Sequence, residues 1–171
     1  MTDYSKYHYT AEDLRFLEEE EQRLGYESFG AREALALTEK IIEIAEEEYQ
    51  SGIYVKIRRL NDNATMVEYT SDDKNERNAQ FAQGKVNACL SYGHSSFYAF
   101  VKENVDGHTE RLFPGMEMIQ AAGAYPVFVK GEMAAVIGVS GLKEGNDHRL
   151  IVKALCAVQG KEYVPFEKEI L

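Results

Sequence analysis

The chain has 171 residues, 44% of them hydrophobic and spread along its length, enough for one well-formed core and too few for two full domains. Its 29 Asp and Glu outweigh 19 Lys and Arg, and the resulting charge of −10 repels a phosphate backbone, which excludes nucleic acid as a partner. No run approaches the roughly 18 consecutive apolar residues of a membrane span, and the N-terminus lacks a signal-peptide stretch, so a soluble, cytoplasmic protein without a membrane partner is expected.

Thr10, followed by Asp13, resembles a capping box that opens a helix carrying Leu14, Leu17 and Leu24, with Gly25 as its stop. The acidic run Glu18 to Glu21 is expected on its solvated face. A second helix, from about Gly30 to Gln50, places Ala34, Leu37, Ile41, Ile44 and Ala45 at spacings of three and four. Glu46, Glu47 and Glu48 crowd its last turn against the dipole, so packing must hold that end.

After Gly52 the period becomes two: Ile53, Val55 and Ile57 share one strand face, while Tyr54, Lys56 and Arg58 share the other. Asn61-Asp62-Asn63 turns this strand into another through Thr65, Val67 and Tyr69. A polar cluster then offers Asp72, Asp73 or Asn75 as cap for a long helix carrying Phe81, Val86, Cys89 and Leu90, which Gly93 breaks before a further helical stretch through Phe97, Phe100 and Val101.

Within that break lies Gly93-His94-Ser95-Ser96. Two readings stand for its serines: they cap the next helix, or their hydroxyls and backbone N–H groups face a ligand. The charged stretch from Glu103 to Pro114-Gly115 reads as an exposed connection, with His108 in solvent. A hairpin follows over 125 to 130 and 133 to 140, joined at Lys130-Gly131-Glu132, with Pro126 suited to a strand start or a sheet edge. The two cysteines, Cys89 and Cys156, lie in apolar helical patterns and form no CxxC pair, which suits buried thiols.

The segment from Ala121 to Leu155 concentrates Gly, Ser, Asp and His where the last strand hands over to the last helix, where unpaired N–H groups converge. Asn146 or Asp147 is the expected N-cap, placing His148 in the first turn. The dipole there disfavours a cationic ring, and a neutral imidazole is what haem iron takes. A histidine beside a cap also commonly serves the local backbone, and both readings remain open. Ser140-Gly141 lacks a GxSxG context, and neither GxGxxG nor GxxxxGK[ST] is present, so no hydrolase, nucleotide or dinucleotide chemistry has a motif behind it.

Ala122-Gly123-Ala124-Tyr125-Pro126-Val127, Ile137-Gly138-Val139-Ser140-Gly141-Leu142 and Asp147-His148, together with Lys74-Asn75, Lys85 and His94-Ser95-Ser96, resemble the PduO/GlcC-like group, the HbpS-like haem-degrading domain family. The likeness is strongest to its branch of small stand-alone proteins. One departure is Ala122, where the family carries the first glycine of a pair; a left-handed backbone would strain alanine.

The resemblance implies a single α/β (α+β) domain, a profilin-like sandwich with an antiparallel sheet of about five strands and helices on both faces, assembling as a homo-oligomer. It also implies haem as a cofactor or another small-molecule ligand. The candidate ligand-binding residues are His94, Ser95, Ser96, Gly123, Tyr125, Ser140, Gly141, Asp147 and His148, with His148 and His94 as candidate iron ligands. Tyr125, Phe128, Met116, Met118 and Met133 are candidates for an apolar haem slot, and Lys130, Arg149 or Lys85 for its propionates. Without a CxxCH the haem would be held reversibly. Three roles follow: a haem or small-ligand binding protein, an enzyme of haem or tetrapyrrole breakdown, and a structural or interaction module.

Overall fold

The computed structural model describes residues 8–107, 117–143 and 145–168. His108 and Met116 lie outside them.

Helix α1, Ala11–Arg23, begins where the Asp13 carboxylate accepts the Thr10 N–H at 2.7 Å, half of the expected capping box. Helix α2, Ala31–Tyr49, buries Ala34, Leu37, Ile41, Ile44 and Ala45, the stripe expected from their spacing. It ends at Gln50 in a left-handed conformation, and Lys153 reaches Glu48 at 2.8 Å, relieving part of the acidic crowding there.

Strands β1, Tyr54–Arg59, and β2, Thr65–Thr70, form the expected hairpin. Helix α3, Glu76–Tyr92, is capped by Asn75, whose side chain accepts the Arg77 N–H, and Gly93 ends it with a positive φ. Leu90, expected on its apolar face, is exposed. Helix α4, Ser96–Val105, follows at once. Strands β3, Ala124–Val129, and β4, Glu132–Ser140, are joined by Lys130-Gly131, both left-handed, the conformation a two-residue hairpin turn requires. Helix α5, Asn146–Gln159, completes the order.

The sheet runs β2-β1-β4-β3, antiparallel throughout, with Val55 opposite Val139 and Ile57 opposite Ile137. The described residues carry four strands where about five are expected. Beyond β3 a single parallel bridge, Tyr26 to Val129, takes the place of a further strand, and the Tyr26 N–H donates to the Phe128 carbonyl at 2.8 Å. Pro126 therefore sits in an edge strand, where its missing N–H is tolerated.

Helices cover both faces. α2 and α5 bury Val55, Ile57, Tyr125, Val127, Ile137 and Val139 on one side. α3 packs Val86 and Cys89 on Ala124 and Val136 on the other. Gly138 allows that approach, since a Cβ there would lie 2.8 Å from Val86 Cγ2. α1 and α4 form a third cluster with Tyr9, Ala122 and Phe166. Both cysteines are buried and free, as expected. Among the described residues no helix is long and apolar enough to cross a membrane.

Candidate functional site

α1 departs most from the expected picture. Its run Glu18 to Glu21 is not a solvated face: Glu20 and Glu21 are 4% and 1% exposed. Leu14, Leu17, Glu21 and Leu24 follow one another at three and four residues, so Glu21 lies on the buried stripe itself, with Glu20 beside it. That spacing was readable; residue class argued the other way.

Glu21 organises the α3–α4 junction. Its Oε1 accepts the Ser95 N–H at 2.7 Å, and its Oε2 lies 2.7 Å from His94 Nδ1. The imidazole lies over Tyr98, ring centroids 4.1 Å apart, and its side chain remains 28% exposed. Bonding to Glu21 raises the His94 pKa from its ordinary value, while burial raises that of Glu21. A carboxylate on Nδ1 selects the tautomer in which a neutral ring keeps its lone pair on Nε2, and no described residue bonds that atom. Ser95 is the N-cap of α4, its hydroxyl accepting the Tyr98 N–H at 3.0 Å. The Ser96 hydroxyl accepts the Ala124 N–H at 2.9 Å and so ties α4 to β3. The capping reading accounts for Ser95, and a strand tie accounts for Ser96.

Glu20 serves the neighbouring site. The Tyr125 hydroxyl donates to its Oε1 at 3.0 Å; burial first, and then the charges of Glu20 and Glu21, push the Tyr125 pKa well up and keep that proton in place. His148 Nε2 lies 3.6 Å from the same oxygen, beyond hydrogen-bond length. The His148 ring is 2% exposed, between Phe97 and Tyr125, and neither nitrogen has a partner among the described residues.

The start of α5 differs from expectation as well. Gly145, with φ 88°, is the N-cap, and neither Asn146 nor Asp147 fills that role. The Asp147 carboxylate instead accepts the Leu142 N–H at 2.9 Å and the Lys85 ammonium at 2.9 Å, and Lys85 also reaches the Val139 carbonyl at 3.3 Å. Burial raises the Asp147 pKa, against the opposing pull of Lys85. Gly123, with φ 137°, lies over this pair: a Cβ there would stand 2.6 Å from the Val139 oxygen and 2.7 Å from Lys85 Nζ. Ala122 is buried and not left-handed, so the missing glycine costs nothing there.

Ser140 ends β4, and Gly141 follows it with its backbone bonded to the Asp147 carboxylate. The Ser140 hydroxyl accepts from Asn78 Nδ2 at 3.3 Å, and Gly141, with φ 148°, lies close to Lys74 and Ile53. The fold thus gathers Gly123 and Asp147 around Lys85, with the Gly141 backbone on the Asp147 carboxylate, Tyr125 and His148 around Glu20, and His94 and Ser95 around Glu21, leaving Ser140 apart.

Among the described residues the expected apolar slot is not assembled. Tyr125 is buried beneath α1, Phe128 and Met133 pair at the far end of the hairpin, and Met118 stands by Ile119, whose N–H bonds the Gly84 carbonyl of α3. Lys85 is held by Asp147, Arg149 donates to Asn146, and Lys130 lies at the hairpin turn, far along β3 from Gly123. Among the described residues no cluster of three His, Cys, Asp or Glu could hold a bare metal ion.

Comparison with known proteins places this architecture. The family model described as Haem degrading protein HbpS-like matches residues 29–156. A UPF0303 protein of Burkholderia mallei is 31% identical over 157 residues, covering 88% of this chain and 92% of that protein. The crystal structure of Ybr137w protein shares the fold with a TM-score of 0.75 at 24% identity, over 86% of this chain and 87% of that one. A structure described as a PduOC:Heme complex superposes with a TM-score of 0.58 at 15% identity, over 76% of this chain and 94% of that one. The matched span contains the sheet, α3, α4 and the Lys85–Asp147 pair and begins after α1; on this evidence the chain belongs to the HbpS-like family.

Proposed function

We propose that the protein binds haem reversibly, with His94 Nε2 as the iron ligand and Glu21 as the residue that positions it. The observation that carries this reading is the 2.7 Å contact between His94 Nδ1 and a carboxylate that is itself 1% exposed. Histidines that ligate metals characteristically give their other ring nitrogen to such a carboxylate, which fixes tautomer and orientation. Family membership and the haem named for one structural neighbour support the choice of ligand.

The described residues fit haem as a group held at the surface. His94 supplies a partly exposed imidazole and Tyr98 an aromatic face, whereas His148 is sealed between Phe97 and Tyr125 and is not the ligand in this reading. A bound haem supplies an iron centre; the chain supplies a nitrogen, its orientation and control of its proton. Covering the rest of the haem falls to a second copy of the chain, so binding and assembly are linked.

Haemin titration followed at the Soret band tests this. Saturable binding is expected, lost in His94→Ala, weakened about tenfold in Glu21→Gln as for other supporting carboxylates, and retained in His148→Phe. The mass in solution should rise with haem. Binding that survives His94→Ala, or that depends on His148 instead, would sink this reading.

A further inference from the structure

α1 and the C-terminal segment flank an open cavity of about 220 Å³, lined by Phe16, Glu19, Glu20, Arg23 and Val164. It is separate from His94, whose partner is Glu21. Phe16 and Val164 give it apolar walls. Glu20 gives it a buried carboxylate.

At 4% exposure that carboxylate has one described hydrogen bond, from the Tyr125 hydroxyl to Oε1; no described residue donates to Oε2, which is not sealed and keeps contact with solvent. No Lys or Arg among the described residues lies within 4.0 Å of it, and His148, unpartnered at both nitrogens, stops 3.6 Å away. A carboxylate taken from water without a cation or a full set of donors is costly, and the cost falls when a cation reaches its free oxygen. Arg23, the one cation among the described lining residues, donates instead to the Glu162 carbonyl at 3.1 Å. Glu19 and Glu20 outnumber it. A volume near 220 Å³ lies below that of drug-sized sites and suits a molecule of few heavy atoms.

We propose that this cavity is a second ligand site, for a small organic ammonium ion whose charged group sits on Glu20 Oε2 and whose apolar part lies against Phe16 and Val164.

Benzylammonium, benzyl alcohol and benzoate serve as probes, titrated separately into the protein and followed by calorimetry and by NMR shifts of α1. Saturable binding of benzylammonium is expected, with benzyl alcohol and benzoate at least about tenfold weaker, the difference a charge-assisted hydrogen bond makes. Glu20→Gln, which keeps an oxygen for Tyr125, should weaken benzylammonium by a similar factor. Val164→Lys, at an exposed position, should abolish binding without touching Glu20 and serves where Glu20→Gln does not fold. Preference for benzoate would assign the cavity to Arg23 and overturn the proposal. Equal binding of benzyl alcohol, no saturable shift, or full benzylammonium affinity in Val164→Lys would also overturn it.

Discussion

Asp147 and His148 are consecutive residues in the first turn of α5 and are buried to nearly the same degree, yet the two sides of that turn are built on opposite terms. Toward α3, Asp147 meets an ammonium and a backbone N–H. Toward α1, His148 meets aromatic faces and a carboxylate it does not quite reach. The first side is a closed structural lock in which each polar group has a partner. The second holds polar groups short of partners, which is the condition a binding region needs and a lock avoids.

The contrast is broken most directly by Lys85→Ala. It leaves the Asp147 carboxylate buried and unpaired, and a loss of about 3–5 kcal/mol in denaturant unfolding is expected. A loss under about 1 kcal/mol would mean that the lock bears no load. Ser96→Ala comes next, since it orphans the buried Ala124 N–H; a cost of about 1–3 kcal/mol is expected, by the same measurement.

The pH dependence sharpens the α1 side. His94 is raised above its ordinary value of 6.5 by Glu21, so its contribution to stability is complete below that value and is lost as pH rises through the elevated one. Glu21 is raised by burial, and its effect runs the same way from 4.5 upward. Stability should therefore fall with rising pH in the neutral range, and Glu21→Gln should flatten that slope in urea midpoints. With His94 in the proposed role, haem affinity should move oppositely, improving as His94 loses its proton. The smallest effect is expected for His148→Phe: with no hydrogen bond to lose, stability should stay within about 1 kcal/mol or rise. A large loss there would show that His148 has a partner after all.

Local grammar carried most of the fold. Asn75 caps α3, Gly93 ends it, Lys130-Gly131 turns the last hairpin, and the Val55 face finds the core, because each depends on a few neighbouring residues. The sites depended on distant ones. Glu21 and His94 are 73 residues apart, and Lys85 and Asp147 are 62 apart, so neither pairing could be read from spacing within an element. The methionine and aromatic slot failed for the same reason: Phe128 and Met133 belong to one end of the hairpin and Tyr125 to the other. Capping weighs only the next residues and so points to Asn146 or Asp147, whereas a buried ammonium across the sheet is the stronger partner for Asp147.

α1 is tied to the chain after α5 at several points. Gln159 and Lys161 hold the carbonyls of Leu24 and Arg23, Lys168 reaches Asp13 and the His8 carbonyl, and Phe166 packs on Tyr9 and Phe16. Segments cross-linked in this way exchange their amide hydrogens as one cooperative unit. Whatever loosens the last described residues therefore wets Glu20 and Glu21 together, and the carboxylates that serve His94 and the cavity share a single opening equilibrium.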